Sequence, residues 1–277
     1  MVCNTCFRHC DIDEGKLGFC GGRTCAGGKV TAANYGKVTS VALDPIEKKP
    51  LRRFHPGSMI LSVGSYGCNL RCPFCQNSEI SWGKEALSFS EDARYLPPSE
   101  LATLAGNLVS RGNIGVAFTY NEPLIGWEYV RDTAKLVHDE GLFNVLVSNG
   151  TASYEVLDEI LPYIDAMNID LKGFTDEYYN DVLGGNMQMV MDFIEGAVKS
   201  CHVELTTLIV PGENNSEEEM RELSGWVASL DPSIPLHISR FFPRFHMTDR
   251  DATEVAKVYR LAEVAREKLK YVYTGNC

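Results

Sequence analysis

Three cysteines lie within eight consecutive positions of the stretch GSYGCNLRCPFCQN, which spans residues 64–77. Cys68, Cys72 and Cys75 follow the spacing C-x3-C-x2-C, and no fourth cysteine stands beside them. The intervening residues are mostly polar, Gly or Pro, which is typical of a loop and not of thiols buried in a core. Because a structural zinc site usually takes four ligands, three thiolates on one loop fit three corners of an iron-sulfur cluster better. The fourth iron of such a cluster would be open to a substrate or cosubstrate.

The composition limits what else the ten cysteines do. A chain of 277 residues buries a core without covalent cross-links, and it carries 37 acidic against 26 basic residues with no run of Lys and Arg. That balance disfavours a nucleic-acid or anionic membrane partner. The chain has neither a long apolar stretch nor the basic, apolar start of a secretion signal. We therefore expect a cytoplasmic enzyme whose closely spaced cysteines bind a metal or cluster and do not form disulfides.

A second group of cysteines occupies the first 28 residues, which are rich in Cys and Gly and have almost no apolar periodicity. Its first four members follow the spacing C-x2-C-x3-C-x9-C, and they are Cys3, Cys6, Cys10 and Cys20. Cys25 follows them, and His9 lies beside Cys10. A segment without an ordinary core predicts a stabilising metal site, with zinc preferred and an auxiliary cluster as the alternative. A flexible segment without metal is the remaining interpretation.

From residue 58 onward, short apolar runs alternate with segments of helical periodicity, which predicts a parallel sheet. The predicted strands are 59–64, 114–120, 142–148, 166–172, 203–210 and 235–241. The predicted helices are 99–111, 125–140, 153–161, 187–200, 216–230 and 251–269. Six strand-helix units are fewer than the eight of a closed barrel, so we expect an α/β fold with a partial (β/α)6 TIM-like barrel. A doubly wound sheet is the alternative.

Two domains are expected, a Cys-rich lobe with two short strands at 1–45 and the partial barrel at 46–277. The two short strands are predicted within residues 29–43. Ser99 is predicted to cap the helix that it begins, and Gly141 is predicted to end one. A capping box is predicted where Glu219 follows Ser216 by three positions.

Several motifs resemble those of a known family. C-x3-C-x-F-C, with Phe74 before the last cysteine, resembles the signature of the radical S-adenosylmethionine (SAM) superfamily. The string CNLRCPFCQN resembles the glycyl-radical-enzyme activating enzymes within it, such as pyruvate formate-lyase activating enzyme. Four shorter motifs also resemble those of this superfamily, and each lies at or just past the end of a predicted strand. They are NEP at 121–123, SNG at 148–150, DLK at 170–172 and VPG at 210–212. The strings DPIEKKP, HPGSMILSVGSYGCNLRCPFCQN, TYNEPLI and ISRFFPR are similar to the radical SAM enzymes of the AmmeMemoRadiSam system.

The resemblance implies two cofactors, a 4Fe-4S cluster held by the cysteine triplet and SAM chelated at its open iron. It further implies that Phe74 packs on the adenine and that Asn121 and Glu122 meet the SAM amino group. Lys172, beside Asp170, would offer a positive charge to the SAM carboxylate. All of these positions fall at strand ends, where barrel enzymes place their catalytic residues.

Two departures from the activating enzymes affect the site. Val147 replaces the Asp that precedes T-N-G in those enzymes and contacts the ribose. The ribose is then expected to contact Ser148 or groups near Ser239 and Arg240. Asn149 is a further candidate for cofactor binding at this edge. In addition, residues 76–100 contain no cysteine, so the ferredoxin-like insert of two-cluster activating enzymes is missing there.

The remaining candidates are two histidines, because His237 and His246 flank the last predicted strand within reach of the site. Cys201 is expected to be a small buried hydrophobe.

The resemblance implies reductive cleavage of SAM to methionine and a 5′-deoxyadenosyl radical, with an electron from flavodoxin or ferredoxin. The radical would take hydrogen from a protein glycine, or from a small molecule or another peptide. Two alternatives of other classes are a non-catalytic iron-sulfur protein for electron transfer or sensing, and a zinc-binding scaffold.

Overall fold

Eight strands form one open sheet in the computed structural model, which describes residues 1–83, 85, 86, 88, 89 and 93–277. The strands of the molecule are β1 (Arg23–Ala26), β2 (Lys29–Ala32), β3 (Lys37–Val38), β4 (Ser40–Pro45), β5 (Met59–Gly64), β6 (Arg94–Tyr95), β7 (Asn113–Phe118), β8 (Phe143–Ser148), β9 (Ala166–Asp170), β10 (His202–Ile209), β11 (Leu236–Arg240) and β12 (Val272–Gly275). The order in the main sheet is β12-β11-β10-β9-β8-β7-β5-β4. All neighbours pair in parallel except β4 and β5, which pair antiparallel.

Helices follow most of the parallel strands. They are α1 (Ser78–Ser81), α2 (Pro98–Asn107), α3 (Trp127–Asp139), α4 (Tyr154–Ile160), α5 (Met187–Ala197), α6 (Glu217–Leu230) and α7 (Val255–Arg266). Strand-helix alternation confirms the predicted partial barrel, and the sheet order leaves β4 and β12 as edges, so among the described residues no closed barrel forms. The sheet has one parallel strand more than predicted, because β12 has only four residues and gives little periodic signal.

The strands alternate between two faces, as the two-residue period of a strand requires. The outer face packs against the helices through the main apolar core, which includes Leu61, Phe118, Leu146, Met167 and Leu205. The inner face carries a smaller apolar group in which Ile60, Ala117 and Val145 pack against Ile46 and Leu51. Residues of the connection between β4 and β5 therefore fill the inner face near the amino ends of the strands.

A buried glutamate fastens this connection to the sheet. Glu204, on β10, is 0% exposed, and its carboxylate accepts hydrogen bonds from the backbone N–H groups of Arg52 and Arg53 at 3.0 and 2.7 Å. The rings of His202 and His237 approach the same carboxylate at 3.0 and 2.6 Å. Together these bonds hold the pKa of Glu204 at about 2, although burial alone would raise it.

Of the three predicted helix signals, one is confirmed and one is half confirmed. The hydroxyl of Ser216 accepts a hydrogen bond from the N–H of Glu219, as a capping box requires, but the Glu219 carboxylate accepts from the N–H of Phe174 and does not complete the box. Gly141 adopts a φ of +72° two residues after α3 ends at Asp139. The prediction for Ser99 is wrong, because α2 begins at Pro98, and proline already suits the first turn of a helix.

The amino-terminal 45 residues contain β1 and β2 as an antiparallel pair, followed by β3 and β4. The two strands predicted between residues 29 and 43 are thus three, the last of which joins the main sheet through β5. Among the residues with described placement, no helix is long and apolar enough to cross a bilayer.

Candidate active site

The cysteine loop, residues 65–77, connects β5 to α1 at the carboxyl edge of the parallel sheet. Cys72 is buried, whereas Cys68 and Cys75 are half-buried. The backbone turns tightly here, with the N–H of Cys75 donating to the carbonyl of Cys72 at 3.1 Å. The N–H of Leu70 points at the sulfur of Cys68, 3.4 Å away. The loop thus presents three thiols from one short segment, as the sequence predicts.

The chemistry of the three thiols fits an iron-sulfur cluster. Burial raises the pKa of Cys68, Cys72 and Cys75 above the ordinary thiol value, for Cys72 to about 11. Thiols in this state are protonated at neutral pH, so a bound cluster would displace their protons and bring in positive charge. Three soft ligands on a C-x3-C-x2-C loop are a fitting donor set for three irons of a four-iron cluster.

Glu122 joins two motifs at the neighbouring strand ends. It is 3% exposed, and its carboxylate accepts hydrogen bonds from the hydroxyl of Ser148 at 2.7 Å and the N–H of Asn149 at 2.8 Å. The N–H of Leu124 donates a third bond at 3.0 Å. Burial nevertheless raises the pKa of Glu122 to about 7. The side chain therefore lies where a nearby positive charge would favour its ionised form.

The asparagines of NEP and SNG hold the backbone around the cysteine loop. Asn121 donates to the carbonyls of Tyr66 and Gly67, both at 3.1 Å, and accepts from the N–H of Ser65 at 2.8 Å. Its amide is therefore engaged with the start of the loop, and its predicted contact with SAM stays a prediction. Asn149 lies closer to the thiols, with its amide nitrogen 3.7 Å from the sulfur of Cys68.

DLK supplies the positive charge beside the thiols. The ammonium of Lys172 donates to Asp170 at 2.7 Å, and the lysine side chain is 16% exposed. Burial acts to lower the pKa of Lys172, but Asp170 and the Cys72 sulfur raise it well above its ordinary value. The Lys172 ammonium conversely acts to lower the pKa of Cys72, although burial still raises that pKa to about 11. The charged Lys172 thus lies beside both the Asp170 carboxylate and the Cys72 thiol.

The aromatic and ribose candidates lie on neighbouring elements. Phe74 is 8% exposed and meets Phe241 edge to face, with ring centroids 6.1 Å apart. Adjacent residues of a strand face opposite ways, so Ser239 and Arg240 do not point to the same side of the sheet. The guanidinium of Arg240 donates to the carbonyl of Thr253 at 2.6 Å, and Val147 packs against the inner apolar group. A ribose contact by Ser148, Ser239 or Arg240 stays a prediction.

The two histidine candidates have different surroundings. His237 is held by Glu204 on the inner face and stacks on Tyr273 at 5.2 Å. His246 adjoins the cysteine loop, because its backbone N–H donates to the carbonyl of Pro73 at 2.8 Å. Cys201 is half-buried and packs against the main core, as expected of a small hydrophobe.

The four amino-terminal cysteines line one small cavity, together with Arg8, His9 and Ile12 among others. Cys3, Cys6 and Cys20 are buried, and Cys10 is half-buried. Cys25 does not line this cavity, and its sulfur lies 3.4 Å from a carboxylate oxygen of Glu14. The structure thus brings together the four cysteines of the predicted site.

Three residues that the sequence did not single out connect this group to the cysteine loop. The guanidinium groups of Arg8 and Arg71 lie over the ring of Phe19, at 3.5 and 3.8 Å from its centroid. Arg8 donates to the backbone carbonyl of Asn69 at 2.9 Å, and Arg71 donates to those of Cys68 and Phe19. Isolated arginines carry no motif, so only the folded arrangement reveals this contact.

A sequence model of the Radical SAM superfamily matches residues 62–224. This range covers more than half of the chain and contains the cysteine loop and the NEP, SNG and DLK motifs. The protein therefore belongs to the radical SAM superfamily, which confirms the resemblance drawn from the motifs and supports an enzyme that uses a 4Fe-4S cluster and SAM.

Among curated relatives, the chain is 39% identical over 280 residues to an uncharacterized protein of Methanocaldococcus jannaschii, covering 99% of this chain and 80% of that protein. It is 29% identical over 171 residues to the pyruvate formate-lyase 1-activating enzyme of Escherichia coli K12, covering 59% of this chain and 66% of that enzyme. The crystal structure of Streptococcus suis SuiB has a TM-score of 0.59 and 13% identity, covering 77% of this chain and 48% of SuiB. The chain thus spans about half of SuiB, and that likeness shows the fold alone.

Proposed function

We propose that this radical SAM enzyme is of the activating-enzyme type and takes a hydrogen atom from a glycine of a partner protein. The observation that carries the proposal is the gathering of three motifs at one sheet edge, with the thiol loop flanked by Glu122 on one side and Lys172 on the other. Electron-transfer proteins need a cluster but no paired acid and base beside it. An enzyme that chelates an amino acid through its amine and carboxylate needs both.

Each charged group has a specific task in this proposal. When bound at the triplet, a 4Fe-4S cluster would supply the electron that cleaves SAM to methionine and a 5′-deoxyadenosyl radical. Glu122 would attract the SAM ammonium, which favours the ionised form of a carboxyl group that burial otherwise keeps partly neutral. Lys172 would attract the SAM carboxylate, and Phe74 would pack on the adenine. Charge complementarity of this kind fixes the orientation of a bound zwitterion.

The choice of a protein glycine as substrate is supported by the relatives. Two pyruvate formate-lyase activating enzymes, from Escherichia coli and Clostridium pasteurianum, are 29% and 27% identical to this chain over 59% of its length. The electron donor in this proposal is flavodoxin or ferredoxin. The motif strings that resemble the AmmeMemoRadiSam-system enzymes favour that subgroup within the activating-enzyme type.

The first test concerns SAM cleavage. Anaerobically reconstituted, dithionite-reduced protein is expected to release equal amounts of methionine and 5′-deoxyadenosine from SAM, measured by liquid chromatography. Cys72→Ala should abolish the release, while Cys201→Ala, which changes a cysteine remote from the loop, should retain it. Full cluster loading with no cleavage in any condition would instead favour an electron-transfer or sensing protein.

The second test concerns the substrate. A candidate glycyl-radical enzyme labelled with α,α-dideuterated glycine should pass deuterium to 5′-deoxyadenosine, detected by mass spectrometry, and should show a glycyl radical by electron paramagnetic resonance. If cleavage proceeds without deuterium transfer from any such partner, the glycine proposal fails while radical SAM cleavage stands.

A further inference from the structure

We propose that Cys3, Cys6, Cys10 and Cys20 bind one zinc ion, which fixes the amino-terminal lobe (residues 1–45) against the cysteine loop. The proposal goes beyond the function above, because it assigns a second metal centre that the SAM reaction does not require. It rests on the enclosed cavity that the four thiols share and on the backbone contacts that connect one of them to the loop.

Two turns of backbone bring the thiols together. The N–H of Cys3 donates to the carbonyl of Cys10 at 2.9 Å, and the N–H of His9 donates to the carbonyl of Cys6 at 3.3 Å. His9 adopts a φ of +40°, a left-handed conformation that tightens this turn. The turn that carries Cys20 is closed by a separate hydrogen bond between residues 21 and 18. Thiols from two separate turns, facing one cavity, form the usual frame of a four-cysteine zinc site.

The donor set of the cavity favours a single ion. Four cysteine side chains line it, and four thiolates around one centre are the usual ligand set of a structural zinc ion. In the part of the chain that the structure describes, no three Cys, His, Asp or Glu side chains already meet in the geometry of a metal site, and this includes the triplet of the cysteine loop. Rotation about the Cα–Cβ bond swings a cysteine sulfur between staggered positions while the backbone stays in place.

The segment around the four thiols has only a small apolar core of its own, although β4 at the end of the lobe pairs with β5 of the main sheet. Its own apolar cluster consists of Cys3, Ile12 and Cys25, with Cys10 and Val30 packed against them. So small a cluster gives little hydrophobic stabilisation, and small domains of this kind usually depend on a metal or on disulfides. Zinc bound by four thiolates would supply the missing stabilisation.

Cys20 connects the proposed zinc site to the cysteine loop. Its carbonyl accepts a hydrogen bond from the N–H of Cys68 at 3.1 Å. The backbone of Gly67 passes so close that a Cβ there would lie 2.6 Å from the same carbonyl, at a φ of +90°. A second contact joins Thr5 to the third residue after SNG, since the N–H of Ser153 donates to the Thr5 carbonyl at 2.9 Å. Movement of the lobe would therefore displace a proposed cluster ligand.

The test counts metals in anaerobically purified, reconstituted protein by inductively coupled plasma mass spectrometry. We expect one zinc per chain in addition to iron, with the zinc lost in Cys3→Ser, Cys6→Ser, Cys10→Ser and Cys20→Ser. Cys25→Ser is the matched control, because Cys25 is also buried in the lobe but does not line the cavity, and it should retain the zinc. Retention of zinc in the four variants, loss in Cys25→Ser, or iron in place of zinc would each overturn the proposal.

A second measurement covers variants that do not fold. Unmodified protein that is stripped of all metal and reconstituted with iron and sulfide but without zinc should have a lower thermal unfolding midpoint, and an iron chelator should bleach its cluster about tenfold faster, followed at the visible absorbance of the cluster. Added zinc should restore both. An unchanged midpoint after complete zinc removal would contradict a stabilising role. Zinc content does not depend on SAM cleavage, so failure of the proposed function leaves this result intact.

Discussion

Two buried glutamates at opposite ends of the sheet have pKa values that are shifted in opposite directions. Glu122, at the carboxyl edge, is held by one hydroxyl and two backbone N–H groups, and its pKa is raised to about 7. Glu204, on the inner face near the amino ends, meets two histidine rings and two backbone N–H groups, and its pKa is lowered to about 2. Burial acts to raise both pKa values, so the partners decide the difference.

The difference separates a glutamate that holds the fold from one that the proposed function uses. Glu204 is ionised throughout the neutral range and fastens the connection that fills the inner face. Glu122 is close to half-ionised at neutral pH, so its charge responds to whatever lies beside it. Incompletely stabilised groups are typical of functional sites, whereas fully paired ones are typical of structural anchors.

The largest expected effect is on the structural side of this comparison. Glu204→Ala should lower the free energy of unfolding by about 3 to 5 kcal/mol, because two backbone N–H groups and two imidazole rings lose their fully buried partner. Urea unfolding of reconstituted protein measures the loss. Glu217→Ala is the control, since that carboxylate pairs with Arg221 and Arg260 at the surface and should cost less than about 1 kcal/mol. Equal losses in the two variants would show that Glu204 is no anchor.

The next effect is a pH dependence that belongs to Glu122 alone. A carboxyl group whose pKa rises from 4.5 to about 7 on folding contributes stability that is fully present below pH 4.5 and is lost as the pH rises through 7. Relative to Glu122→Gln, the unmodified protein should therefore lose about 3 kcal/mol of unfolding free energy between pH 5 and pH 8. Glu204 contributes no slope there, because its stabilisation is lost only as the pH falls from 4.5 towards 2.

Urea unfolding at each unit of pH from 5 to 8 measures this slope. Glu217→Gln serves as the control, since the pKa of this glutamate is lowered by Arg260 and its titration lies below the range. If the unfolding free energies of the unmodified protein and Glu122→Gln change with pH in parallel, Glu122 does not titrate in this range and its contrast with Glu204 fails.

A medium effect is expected on SAM binding when the second proposed charged group, the Lys172 ammonium, is removed. Lys172→Met keeps the length of the side chain but removes the ammonium beside Asp170 and Cys72, so SAM should bind about 10- to 100-fold more weakly, consistent with the loss of one charged hydrogen bond. Equilibrium dialysis with labelled SAM measures the change. Lys48→Met, which removes an exposed lysine paired with Asp44, should leave SAM binding unchanged. Unaltered SAM affinity in Lys172→Met would exclude the proposed carboxylate contact.

Much of the carboxyl edge could be predicted from the sequence because local patterns determine it. The apolar run at 59–64 matches β5 residue for residue, and the cysteine spacing stands on the loop that follows it. Strand order then requires that residues after successive parallel strands share one edge. Neither argument depends on knowing which side chains touch.

The amino-terminal contacts and the Glu204 anchor could not be predicted, because they join residues far apart in the chain. Glu204 meets the N–H groups of Arg52 and Arg53 across about 150 positions, and Arg8 reaches the carbonyl of Asn69 across 61. No periodicity encodes such a pair. β12 was missed for a different reason, since four residues at the sheet edge give no periodic signal.

The smallest expected effect concerns the hydroxyl that supports Glu122. Ser148→Ala removes the 2.7 Å hydrogen bond to the carboxylate, a bond that lowers the pKa of Glu122 against the effect of burial. The variant should lose about 1 kcal/mol of unfolding free energy and shift the Glu122 midpoint upward by about half a unit to one unit. The same urea series across pH measures both changes. Ser239→Ala is the control at the same edge, because its hydroxyl does not bond to Glu122, and it should leave the midpoint in place. If Ser148→Ala leaves the midpoint in place as well, the Ser148 hydroxyl does not set the charge of Glu122.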